Sequence, residues 1–182
     1  MPREVKMEER RSRDRGKIAE EKFRDWLKQA KIAYWYIQQD VDTFSPALKE
    51  YGAKRPDFML LLPILGTILV DVEQKTRLDK YERFVFDAEE TEKYINLLKN
   101  FNLQVWYVIS NDDYAYKTWF WIPVIKVPDI GDKVQTKDGR WIYTVDMEKF
   151  IQLTSNDSLN HLFSVYFNML TEGWKKNFSG GT

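Results

Sequence analysis

The strongest constraint on the fold is written into residues 54–75. Lys54-Arg55-Pro56-Asp57-Phe58-Met59-Leu60-Leu61-Leu62 and Thr67-Ile68-Leu69-Val70-Asp71-Val72-Glu73-Gln74-Lys75 are apolar runs on either side of Pro63-Ile64-Leu65-Gly66. Two such runs around Pro/Gly punctuation predict a β-hairpin. In an antiparallel pair the start of the first strand lies beside the end of the second, so Asp57 and Glu73 can meet at one end of the sheet. Alternation puts Asp71, Glu73 and Lys75 on one face, with ~6.6 Å between alternate residues. Ile68, Val70, Val72 and Gln74 take the other face. The outcome is a group of carboxylates with one ammonium beside it, carried on rigid strands.

The flanking segments supply the support. Residues 1–17 are dense in both charges, which predicts either a solvated first helix or a basic arm that contacts phosphates. From Gly16 to Ala30 the residues Ala19, Phe23, Trp26, Leu27 and Ala30 recur at helical spacing, with Glu20 at the edge of that stripe. Ile32 to Gln39 is aromatic and β-branched, hence a strand. Residues 40–55 form a long polar connection ending beside Asp57, and Lys49, Lys54 and Arg55 on it are candidates for gripping phosphate. Thr76 to Arg83 is a polar link, on which Arg77 and Lys80 are candidates to line a substrate groove. Phe84, Ala88, Thr91, Ile95 and Leu98, widened by Tyr94 and Leu97, predict a helix with Asp87, Glu89 and Glu90 near its start.

Leu103 to Ser110 is apolar on both faces and predicts an interior parallel strand, completing a βαβ unit. Tyr114 to Ile122 is a further aromatic strand and a candidate edge for a homodimer. Trp106, Trp119 and Trp121 are assigned to the core. Beyond it, Lys133–Thr136 and Trp141–Val145 flank an Asp138-Gly139 turn, and Asn156 or Asp157 is placed to cap a last helix through Leu170. This divides the chain into a charged arm (1–13), a core (14–125) and a C-terminal hairpin-plus-helix extension (126–182) packed on it.

Composition removes several chemistries. Lys plus Arg and Asp plus Glu each number 28, so the net charge is zero and any nucleic-acid contact is local rather than a uniform basic coat. With no cysteine and one histidine, thiol nucleophiles, zinc–thiolate sites and histidine–metal nuclease chemistry lose support. No phosphate loop of the GxxxxGK[ST] type occurs. No signal pattern or long apolar run is present, which predicts a soluble, cytoplasmic protein without membrane contact. Unpaired carboxylates ~5 Å apart repel by roughly 3 kcal/mol per pair at an effective dielectric near 20. Lys75 offsets part of that, and a divalent cation more. Oxygen-only donors suit Mg²⁺ or Mn²⁺ rather than zinc.

Pro56-Asp57 followed across the turn by Glu73-Gln74-Lys75 resembles the signature of the PD-(D/E)XK nuclease superfamily, the restriction-endonuclease-like fold. Gly16-Lys17-Ile18-Ala19-Glu20 is similar to the start of the first helix in its resolvase-like branch. The resemblance covers roughly residues 14–122 and implies an α/β fold: an αβββαβ core with a mixed central sheet flanked by helices, here with a small C-terminal α+β extension. It implies Asp57 and Glu73 as metal ligands, Glu20 as a direct or water-bridged third acid, and the Gln74 carbonyl in the shell. Lys75 then orients or activates the attacking water. Asp71 is an extra acid on that face, able to replace or supplement a ligand. The activity implied is Mg²⁺-dependent hydrolysis of nucleic-acid phosphodiesters by a DNA endonuclease or resolvase-like enzyme. The alternative is a catalytically silent nuclease fold that binds nucleic acid or a partner protein.

Overall fold

The computed structural model describes residues 2–37, 44–63, 66–75, 82–162, 164 and 167, with the backbone alone for 2–14. Helix α1 (Pro2–Gln29) runs unbroken from the charged segment into the amphipathic one. Its Ala19, Phe23, Trp26 and Leu27 are buried, as the helical spacing predicts. After it come β1 (Ala33–Tyr36), a short α2 (Pro46–Glu50), β2 (Phe58–Leu62) and β3 (Gly66–Gln74). Helix α2 was not expected in the polar connection; Ser45 caps it through the Leu48 N–H, and Pro46 opens it.

The hairpin forms in antiparallel register, with Phe58 opposite Val70 and Leu62 opposite Gly66. Gly66 adopts a positive φ of 101°, which its lack of a Cβ permits. Next come β4 (Arg83–Asp87), α3 (Ala88–Phe101), β5 (Val105–Ser110) and β6 (Thr118–Pro123). Strand β5 pairs parallel to β3 and is buried along its whole length, as its unbroken apolar run predicts. The chain then forms α4 (Val127–Ile130), β7 (Asp132–Gln135), β8 (Trp141–Asp146) and β9 (Ile151–Thr154).

The strands make a six-stranded sheet in the order β1-β2-β3-β5-β6-β9 and a three-stranded sheet in the order β4-β8-β7. The larger sheet is mixed, with β3–β5 parallel and its other pairs antiparallel. One face packs on α1 through Phe58, Val70, Val72, Val108, Trp119 and Trp121. The other packs on α3 and the small sheet through Tyr107, Ile109, Phe120, Tyr94, Phe84 and Phe86. This α/β architecture, a mixed sheet flanked by helices with added strands, is consistent with a restriction-endonuclease-like core. No helix among the described residues is long and apolar enough to cross a membrane.

Several expectations are corrected. Phe84 does not open the helix: Arg83–Asp87 is a strand, its aromatics buried on alternate residues, and Asp87 caps α3 through the Glu90 N–H. Tyr114 lies in a turn after Asn111, so β6 begins later than expected. Strand β6 is not an edge, because the unforeseen β9 pairs with it; the candidate homodimer edge is therefore covered. At the start of the last helical turn Ser158, not Asn156 or Asp157, accepts from the Asn160 N–H, while Asp157 takes the Thr154 N–H and hydroxyl.

Candidate active site

Asp57 stands one residue before β2, its backbone already in the sheet. Its N–H donates to the Val70 carbonyl at 2.9 Å, and its own carbonyl accepts from the Ile37 N–H at 2.8 Å. The carboxylate Oδ2 accepts from the Val72 N–H at 2.8 Å, so the side chain continues the hydrogen-bond ladder along β3. One step beyond the Phe58–Val70 pair, Asp57 lies across from Asp71. Burial first, then the charges of Asp71 and Glu20, push the Asp57 carboxyl well above the usual carboxylate range.

Asp71 is deeper still. Oδ1 accepts from the Tyr94 hydroxyl and lies 4.0 Å from the Lys54 ammonium, while the buried Oδ2 has no hydrogen-bond partner. Burial is the main reason its carboxyl is pushed up to about 7; Glu73 and Glu90 add to that, against Lys54 and Tyr94. Lys54 also reaches Glu90 at 3.2 Å and sits 5.1 Å from the Tyr94 ring centroid. Burial works against its charge, but Asp71, Glu90 and Glu73 outweigh it and hold the ammonium above the ordinary lysine range.

At the end of β3, Lys75 lies 3.5 Å from Glu73 and 5.2 Å from the Phe86 ring centroid. The Lys75 carbonyl accepts from the Asn111 side-chain amide at 2.8 Å. Asn111 in turn takes the N–H groups of Asp113 and Tyr114, so the strand end is tied to the turn after β5. The Gln74 backbone lies in register with Ser110, and its side-chain amide donates to Asp112 at 3.4 Å. On α1, Glu20 accepts from the Tyr36 hydroxyl at 2.7 Å. Burial, then Glu20 through this bond and its charge, pushes the Tyr36 phenol up to about 12.

The sequence candidates thus separate. The charges of Glu20 and Asp71 each act on Asp57, that of Glu73 acts on Asp71, and Lys75 pairs with Glu73. Lys49, Lys54 and Arg55 line a cavity of about 450 Å³ together with Phe44, Glu90 and Lys93. Arg77 and Lys80 lie outside the described residues. Among the described residues, no three His, Cys, Asp or Glu side chains form a ready-made metal cage. The candidate donors are all oxygens, the ligand type of a hard divalent cation, and the buried Asp71 Oδ2 has no hydrogen-bond partner.

Sequence reasoning missed Tyr94, Asn111 and Tyr36 as parts of this site. Tyr94 was assigned to an apolar helix face, although Thr91 three residues earlier puts a second polar tip on the same stripe; their signal was that pairing. Asn111, directly after a buried strand and before two aspartates, carries a local turn-capping signal.

No family model matches this chain, and no curated protein matches it. Among solved structures it is similar to Hjc of Archaeoglobus fulgidus, a Holliday junction resolvase from an archaeal hyperthermophile. The two share 15% identity over 72% of this chain and 88% of that chain, with a TM-score of 0.46. The likeness is one of backbone, and it assigns no side-chain role.

Proposed function

We infer that the chain is a metal-dependent nuclease, a DNA endonuclease or resolvase-like phosphodiesterase. The observation that carries this reading is the Glu73–Lys75 pair, 3.5 Å apart at the end of β3, beside the facing acids Asp57 and Asp71. Asp57 and Glu73 would hold Mg²⁺ or Mn²⁺ with the Gln74 carbonyl, and Glu20 would join directly or through water. Bound there, such an ion would supply Lewis-acid polarisation of a phosphate oxygen. Lys75 orients the attacking water and meets the negative charge that develops on the phosphate. Glu73 fixes the ammonium, and Asn111 fixes the backbone that carries it. Asp71, 4.0 Å from Lys54 and bonded by the Tyr94 hydroxyl, is the supplementary acid. Lys49, Lys54, Arg55, Arg77 and Lys80 are assigned to phosphate contacts.

One observation favours a second reading: without a three-acid group among the described residues, the fold can bind nucleic acid or a partner protein without cutting. The test is cleavage of plasmid, linear duplex, single strand, four-way junction and structured RNA in Mg²⁺, Mn²⁺ or EDTA. The parent is run beside Asp57→Ala and Lys75→Ala. Metal-dependent cutting that falls at least about 10²-fold in both variants supports the enzyme. No cutting of any substrate by the folded parent leaves the binder.

A further inference from the structure

The small sheet has two chemically different faces. Cross-strand partners point to the same side, so the registers Phe84–Val145, Phe86–Tyr143, Lys133–Tyr143 and Gln135–Trp141 define one face. All the strand carboxylates, Asp87, Asp132 and Asp146, lie on the other. There Arg83 binds Asp146 at 2.6 Å and Asp132 at 2.7 Å. The carboxylate-free face begins in the core at Phe84 and Val145 and ends outside it at Trp141, which is 49% exposed.

This face reaches the Glu73–Lys75 pair. Lys75 lies over Phe86, and Phe86 pairs with Tyr143. The Lys133 ammonium stands 5.7 Å from the Tyr143 ring centroid and 5.4 Å from that of Trp141. One strand across and two residues along from Phe86, Trp141 is ~8 Å away by β-sheet spacing. Its neighbour Ile142 pairs with Asp87, the cap of α3, whose Glu90 meets Lys54 beside Asp71.

We propose that the Lys133–Trp141–Tyr143 face of the small sheet is a stacking platform for unpaired nucleotides of the strand that enters the Glu73–Lys75 site. It rests on the nuclease-like reading for its anchor at Lys75 and narrows the substrate to one with a single-stranded segment. An exposed indole accepts any base by its flat face, so the platform is indifferent to sequence. The ammonium already seated on the rings has a flexible stem that carries it to a phosphate when a base takes its place. The occupant is a polyanion with aromatic rings, matched by a face bearing rings and a cation and no strand carboxylate.

The test is binding of fluorescein-labelled oligo(dT), oligo(U) and a blunt duplex to the full chain in EDTA, read by anisotropy. Trp141→Ala should weaken binding of at least one single-stranded probe about tenfold, with Trp141→Phe near the parent and the duplex unchanged. Lys133→Ala should flatten the salt dependence for the same probe by roughly 0.7 in log–log slope. Melting temperatures verify that the exposed substitutions leave the fold intact. Parental affinity in Trp141→Ala for both single-stranded probes overturns the proposal, and so does a loss equal on duplex and single strands. A monomer–dimer shift in Trp141→Ala without any change in oligonucleotide affinity also overturns it, in favour of a contact between copies. Loss of cleavage belongs to Asp57→Ala and Lys75→Ala. Trp141-dependent binding by a chain that cuts nothing would therefore sink the nuclease reading and leave the platform standing.

Discussion

The two faces of the central sheet are made by the same strands and obey different rules. Strand β3 gives Val70 and Val72 to the α1 side and Asp71 and Glu73 to the α3 side. On the α1 side Phe23 of the helix meets Trp119 at 5.0 Å and Trp121 at 5.6 Å between ring centroids. Packing of that kind holds an element in place and has no other output. On the α3 side the apolar series Tyr107, Ile109, Phe120 and Ile122 is interrupted by a buried acid with one unpartnered oxygen. A fold that only had to be stable would place an apolar residue at Asp71. The contrast separates the scaffold from the candidate acids within one strand, by alternation alone.

That separation breaks most visibly at Trp119. Trp119→Ala removes a fully buried ring from the α1 face and should lower stability by about 3–5 kcal/mol in urea titration. Cleavage per folded molecule should stay near the parent. If it fell as far as in Lys75→Ala, the two faces would not be separable.

Asp71 sharpens the comparison from the other side. Its carboxyl, pushed up to about 7 by burial, stays protonated in the folded chain over pH values at which the unfolded chain releases the proton. The folded state then binds more protons, so metal-free stability falls as pH rises from about 4 to about 7. Asp71→Asn removes the part of this dependence that belongs to Asp71, leaving that of the buried Asp57, and should be more stable than the parent at pH 8 in EDTA, by ~2–4 kcal/mol. The two should converge near pH 4. A stability difference that does not vary with pH would mean that Asp71 is already compensated in the fold.

The difference between the faces also decides what was legible. The hairpin, the shared face of Asp71, Glu73 and Lys75, and the buried parallel strand follow from period and punctuation within a few residues of each other. Phe84-Val85-Phe86 fits both a helix start and a strand, and only its pairing with β8, far along the chain, decides it. Strand β9 is a short run whose existence depends on the edge that β6 offers. Asp71 was visible as an acid on the right face, but its depth was not. That depth comes with α3, whose Tyr94 closes on the carboxyl, and with Lys54 beside it.

The smallest expected effect isolates the contact that makes the buried acid tolerable. The Tyr94 hydroxyl donates to Asp71 and approaches the Arg55 carbonyl at 3.4 Å, linking α3 to β3 and to the segment before Asp57. Burial, then the charge of Asp71, raises the Tyr94 phenol well above its ordinary value, so it remains a donor at any working pH. Tyr94→Phe keeps the ring against Tyr107, whose centroid is 5.8 Å away, and removes only the donor. The expected loss is about 1–3 kcal/mol, the range for leaving a buried group unsatisfied. It should be larger at pH 8 than at pH 5, because the hydroxyl stabilises the carboxylate more than the neutral acid. Urea titrations of parent and variant at both pH values in EDTA measure this. An equal loss at both would make the hydroxyl a tether for Arg55 alone, and the ionised form of Asp71 would then owe its accommodation to Lys54.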